Sequence, residues 1–133
     1  MVYNLFDSKV DMKSYSNIEM LDHNMLEMLN SCADGNEELI DDIFDSFSPE
    51  AEELLESIKE SVKKDDMELL RKSSHALAGI CGSVGARRLQ QIATDIENAV
   101  KTGNNQTALE TTAELYPNYT LLKKEIAKYQ ESI

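Results

Sequence analysis

The chain has 133 residues, a length that fits one domain able to bury a core without disulfides or metal staples. Asp and Glu number 25 against 13 Lys and Arg, for a net charge of −12. Phosphate backbones and anionic membranes repel such a surface, which argues against nucleic-acid and membrane partners and leaves proteins with basic or mixed patches.

The stretch MVYNLFDSKVDMKSYS has neither a basic n-region nor a long apolar run, so it does not read as a signal peptide. No stretch approaches the ~20 apolar residues of a membrane span, and a soluble cytoplasmic protein is expected. Residues 1–15 read as an N-terminal arm and residues 16–133 as a single helical domain. Apolar residues recur at spacings of three and four from Ile18 onward, with no convincing strand alternation.

The first predicted helix carries Ile18, Leu21, Met25, Leu29 and Cys32, with Ser16-Asn17-Ile18-Glu19 as a capping box and Gly35 as its stop. The second runs through Ile40, Phe44, Phe47, Ala51, Leu54, Ile58 and Val62; Ser48-Pro49 marks a kink or a break and restart. Lys63 to Asp66 form a turn. A third helix carries Leu70, Ser74, Leu77, Cys81 and Val84, and a fourth Leu89, Ile92, Ala93, Ile96 and Val100. After Thr102-Gly103-Asn104-Asn105, a last helix runs from Leu109 past Tyr129 with a bend expected at Pro117. Short connections favour antiparallel neighbours. The expected fold is all-α, an up-down antiparallel four-helix bundle with an additional short N-terminal helix. Cys32 and Cys81 are too few for a disulfide framework and read as reduced core residues; Met25, Met28 and Met67 read as core as well.

His75 falls opposite the apolar stripe of the third helix, on the side of Glu68, Arg71, Lys72, Ala78, Gly79 and Gly82. Each interior glycine costs a helix roughly 1 kcal/mol relative to alanine. Gly79 and Gly82 lie one and two turns past the histidine and are expected to bare the backbone for a partner approaching the ring. Arg71 and Lys72 place positive charge where an anionic group would sit. That combination suits nucleophilic chemistry on a phosphoryl group, and equally a solvated histidine beside packing glycines.

The motif says more than the face. His75-Ala76-Leu77-Ala78-Gly79 followed by Gly85-Ala86 resembles the signature of histidine-containing phosphotransfer (HPt) domains: His, Leu two on, Lys three on, Gly four on, then Gly-Ala. Glu38-Leu-Ile-Asp-Asp-Ile-Phe-Asp-Ser-Phe47 and the Lys63-Lys-Asp-Asp66 turn resemble the family's preceding helix and hinge, so the likeness spans roughly residues 17–130. It implies a carrier in multistep phosphorelays, with His75 as phospho-acceptor, receiver domains and hybrid sensor kinases as partners, and no ATP site or turnover of its own. The absence of a GxxxxGK[ST] loop agrees. No cofactor is implied for this chain, the magnesium ion belonging to the partner receiver. A monomer is expected, because one face must stay free for receivers.

The family often places a carboxylate or amide on the next helix to hydrogen-bond the histidine, and here that position is Glu97. Counting from the Val84-Gly85 bend at ~1.5 Å per residue puts the two within one turn in height. A carboxylate on Nδ1–H would fix the tautomer and leave Nε2 free to attack.

Three departures stand out: Ala78 in place of the usual Lys, Ile80-Cys81 in place of small or hydroxyl residues, and Ser74 in place of Ala. The lost lysine matters most, since phosphoryl transfer depends on positioning and charge stabilisation. Two hypotheses stay open. One is the carrier; the other is a degenerate HPt-like docking module that binds receiver or kinase domains without phosphotransfer. His23 and Glu27, four apart, read as solvated residues rather than a metal pair. Ser73-Ser74-His75 lacks a nucleophile elbow, and Asp41, Asp42, Glu52 and Glu53 read as a solvated acidic face.

Overall fold

A computed structural model describes residues 15–33 and 38–132. Within them lie six helices: α1 (His23–Ala33), α2 (Leu39–Lys64), α3 (Met67–Val84), α4 (Arg87–Lys101), α5 (Asn105–Thr112) and α6 (Leu115–Ser132). No strand occurs among the described residues. The long helices α2, α3, α4 and α6 form the bundle, α3 packing most extensively against α4 and α2. Each contributes an apolar stripe: Phe44, Phe47 and Ile58 from α2, Leu70, Leu77 and Cys81 from α3, Leu89, Ile92 and Ile96 from α4, Leu122 and Ile126 from α6, all buried. None of the helices is long and apolar enough to cross a membrane.

The turns around α3 are strongly specified. Asp65 adopts a left-handed conformation after α2, and the Asp66 carboxylate caps α3 by accepting the Leu69 N–H at 3.0 Å. At the other end Gly85 has φ +76°, and the Ala86 N–H returns to the Cys81 carbonyl at 2.9 Å. A Cβ on Gly85 would lie 3.2 Å from Asp22 Cβ and 3.3 Å from Met25 Sδ, while the Gly85 carbonyl accepts the Asp22 N–H at 2.8 Å. The α3–α4 turn is thus both left-handed and pressed against the start of α1. Gly85→Ala is expected to destabilise the fold by about 1–2 kcal/mol, read as a lower urea midpoint. Gly85→Asn, which tolerates positive φ better, should lose less than a bulkier residue.

Several sequence expectations are corrected. The first helix begins at His23, not within a Ser16–Glu19 capping box. Arg88 donates to the carbonyls of Ser16 (3.3 Å) and Ile18 (2.8 Å), holding the segment in turns, and the Asp22 carboxylate caps the helix through the Met25 N–H at 3.0 Å. Its expected stop at Gly35 lies outside the described residues. Because α1 packs on one face only, centred on buried Leu26, Cys32 and Met28 are exposed rather than core; Met28 is 69 % accessible. Met25 and Met67 are half-buried. Cys81 is fully buried, and burial pushes its thiol up to about 12, which makes it inert.

Helix α2 runs unbroken through Pro49, since Phe44, Phe47, Ala51 and Leu55 keep one face on the core across it. The last predicted helix is split at Ala113-Glu114, before Pro117. Pro117 offers no N–H to the carbonyl four residues back and crowds it, so the chain restarts and the proline sits in the first turn of α6, where no donor is needed. Of the expected arm only Tyr15 is described; it is buried and donates its hydroxyl to Asp95 at 2.5 Å, and residues 1–14 lie outside the described residues. The acidic face is partly engaged: Glu52 accepts the Tyr119 hydroxyl at 2.7 Å and Asp41 the Gln130 amide at 2.7 Å.

Candidate functional site

His75 lies midway along α3 on the face turned from the core, its side chain 73 % exposed. Glu97 lies on α4, its side chain only 9 % exposed, and the antiparallel α3–α4 pair brings them level. His75 Nδ1 meets Glu97 Oε2 at 2.9 Å. Burial by itself pushes the Glu97 carboxyl up, but hydrogen bonds from Lys101 and His75, with their charges, outweigh it and hold it below its ordinary value. An ionised carboxylate only accepts, so Nδ1 is protonated and donates; in the neutral tautomer this contact selects, the lone pair is on Nε2.

A third group completes the cluster. Lys101 Nζ lies 3.1 Å from the same Glu97 oxygen. No motif in the sequence marks Lys101; its signal there is the i,i+4 spacing from Glu97 with the acid N-terminal, the favourable orientation on a helix. One buried carboxylate oxygen therefore holds the imidazole of α3 and the ammonium of α4 together.

The other expected residues divide. Arg71 is committed to Glu68 through two hydrogen bonds of 2.7 and 3.1 Å. That contact, the Glu68 charge and the more distant Glu97 charge raise its pKa, so Glu68 competes with an incoming anion for its fork. Lys72 is exposed with no ion-pair partner among the described residues. Ala78 is half-buried against the core and contributes no charge. A Cβ on Gly79 would meet nothing within 4 Å, so the space one turn past His75 is open. A Cβ on Gly82 would lie 2.9 Å from Gln90 Nε2. The expectation that Gly82 clears an approach is corrected: its missing side chain makes room for the α4 glutamine.

Ser74, beside the histidine, is wholly buried with its hydroxyl unpartnered by any described residue, a cost of about 1–3 kcal/mol that alanine would avoid. Ser73 instead shares a hydrogen bond with Ser57 at 2.8 Å. Further along α3, a groove of about 460 Å³ opens between α1, α2 and α3, lined by Leu29, Ile43, Phe47, Ile80 and Val84 with Asp42 and Glu50 at its edge. His23 is exposed, its Nε2 3.8 Å from Glu125 and its ring 6.0 Å from that of Tyr129. Glu27 takes no part in that contact. Among the described residues no three His, Cys, Asp or Glu side chains are grouped to hold a metal ion.

The site is thus an exposed histidine on one helix of an antiparallel bundle, its Nδ1 in contact with a buried carboxylate on the neighbouring helix. The sequence profile of the Hpt domain matches residues 42–132, and the chain belongs to that family. Its fold is similar to the crystal structure of histidine-containing phosphotransfer protein B from Pseudomonas aeruginosa PAO1, with a TM-score of 0.75 and 20% identity over 86% of this chain and 96% of that one. It is also similar to a rice protein described as a candidate histidine-containing phosphotransfer protein, with a TM-score of 0.69 and 14% identity over 95% of this chain and 96% of that one. No curated protein matches the sequence.

Proposed function

We propose that the chain is a phosphorelay carrier in two-component signal transduction, accepting a phosphoryl group on His75 from a receiver-domain aspartate and passing it to another receiver. The observation that carries this reading is the 2.9 Å contact between Nδ1 of an exposed imidazole and a buried, ionised Glu97. A merely solvated histidine has no use for a carboxylate buried beneath it.

In the step so defined, the Nε2 lone pair forms an N–P bond as the acyl-phosphate O–P bond of the receiver aspartate breaks, returning that aspartate as a carboxylate. No proton leaves the ring. The imidazole becomes cationic and its Nδ1–H stays on Glu97, which stabilises the new charge as the acid of a catalytic triad stabilises its imidazolium. Transfer onward is the reverse of this step with a second receiver. Nothing here turns over by itself, so the chain acts as an intermediate and not as an enzyme. Gly79 leaves room for the partner beside the ring. Any magnesium requirement lies with the receiver.

A second reading, a docking module without chemistry, is favoured by one observation: Ala78 leaves α3 without a cation one turn past His75. Incubating the chain with a phosphorylated receiver decides between them. The carrier yields acid-labile, alkali-stable label that peptide mass spectrometry maps to His75. A receiver that binds without passing label establishes the docking module instead.

A further inference from the structure

We propose that Lys101 supplies the cationic contact to the phosphoryl group on His75 that residue 78 lacks, so that the charge comes from α4 rather than from α3. The assignment rests on the carrier reading above.

Among the described residues, Lys101 is the cation that shares a carboxylate with the ring. Its Nζ and His75 Nδ1 share Glu97 Oε2, at 3.1 and 2.9 Å, so the ammonium stands no farther from the imidazole than two hydrogen-bond lengths. Arg71 pairs with Glu68 on its own helix and not with Glu97, and Lys72 has no ion-pair partner among the described residues, so fixing it would cost more side-chain entropy. Lys101 is also free to move, its side chain being 53 % exposed.

The redistribution of charge during transfer gives it a reason to move. In the nucleophilic form of the ring Glu97 is shared between Nδ1–H and Lys101. When Nε2 takes the phosphoryl group, the ring becomes cationic and binds Glu97 more strongly, while repelling the neighbouring ammonium. The phosphoryl oxygens then carry the nearest uncompensated negative charge. Lys101 shifts its hydrogen bonds from the carboxylate to those oxygens, remaining protonated throughout and forming no covalent bond. The charge-assisted contact is strongest while the phosphoryl group is in flight or resident, which is when stabilisation accelerates transfer.

The test measures the rate of phosphoryl uptake from a phosphorylated receiver, the lifetime of phospho-His75, and receiver affinity. Lys101→Ala is expected to slow uptake about tenfold with receiver affinity and the Nδ1–H tautomer, read by 15N NMR, unchanged. Lys101→Arg should restore most of the rate, and Ala78→Lys added to Lys101→Ala should rescue it by returning a lysine to α3. Lys124→Ala, which removes the same charge beside Met20 and Arg88 on α6, controls for steering by net charge and should match wild type. Wild-type uptake in Lys101→Ala overturns the assignment. So does a loss explained wholly by weaker receiver binding or by a changed tautomer, or a larger loss in Lys72→Ala. If wild type itself takes no label, the carrier reading fails and takes this assignment with it, an outcome distinct from a labelled wild type with an indifferent Lys101.

Discussion

His75→Gln is expected to carry no phosphoryl label while folding and binding receivers as wild type does. The glutamine amide has no nucleophilic lone pair on nitrogen, so no N–P bond forms. Its structural cost should be small, within about 0.5 kcal/mol, because the replaced side chain is 73 % exposed and packs on no core. Glu97 is not orphaned by the change: Lys101 still donates to it, and the glutamine NH2 can take the place of Nδ1–H. Circular dichroism, a urea midpoint and receiver affinity should therefore superimpose on wild type while the label disappears. Label persisting in the variant would place the phosphoryl group elsewhere, and His23, the other of the two histidines, would be the first position to map.

Glu97→Ala should slow uptake by about 10- to 100-fold, since a hydrogen bond to a charged group contributes ~1.5–3 kcal/mol and each ~1.4 kcal/mol is a factor of ten. Without the carboxylate the ring samples the Nε2–H tautomer, in which the outward nitrogen has no lone pair to attack with, and the cationic ring loses its counter-charge. Glu97→Gln should fall between the two, because an amide oxygen can still accept Nδ1–H but brings no negative charge. The direction of the Glu97 pKa sets the pH behaviour. A carboxyl held below its ordinary value contributes stability that is present above the unfolded glutamate range and lost as pH falls through the folded value. The stability difference between wild type and Glu97→Gln should thus be constant near neutral pH and shrink on acidification below the ordinary glutamate range. A difference that grew on acidification would mean that burial, not pairing, dominates this carboxyl. Comparing urea midpoints across that range reads the sign directly.

What was legible in the sequence was what backbone hydrogen bonding and local spacing control. The apolar stripe of α3, with Leu70, Leu77, Cys81 and Val84 inward and His75 outward, follows from the helical period alone. Gly85 announces a turn because its conformation is the one glycine tolerates best, and a two-residue turn forces antiparallel neighbours. The family resemblance points to Glu97, and that constraint agrees, since counting along the two helices brings it level with His75.

What only the tertiary structure decided was which partner each side chain takes, because that choice is made across helices and between competing charges. Glu68 claims the Arg71 fork, and Gln90 fills the gap at Gly82, so two features that look alike in sequence to Lys72 and Gly79 serve packing and pairing. Arg88 captures the carbonyls of Ser16 and Ile18 and moves the start of α1 from a well-formed capping box to His23. Lys101 enters the site because Glu97 is buried with an oxygen to share. Periodicity fixes which way a residue points; the energy of contacts between distant segments fixes what it meets there.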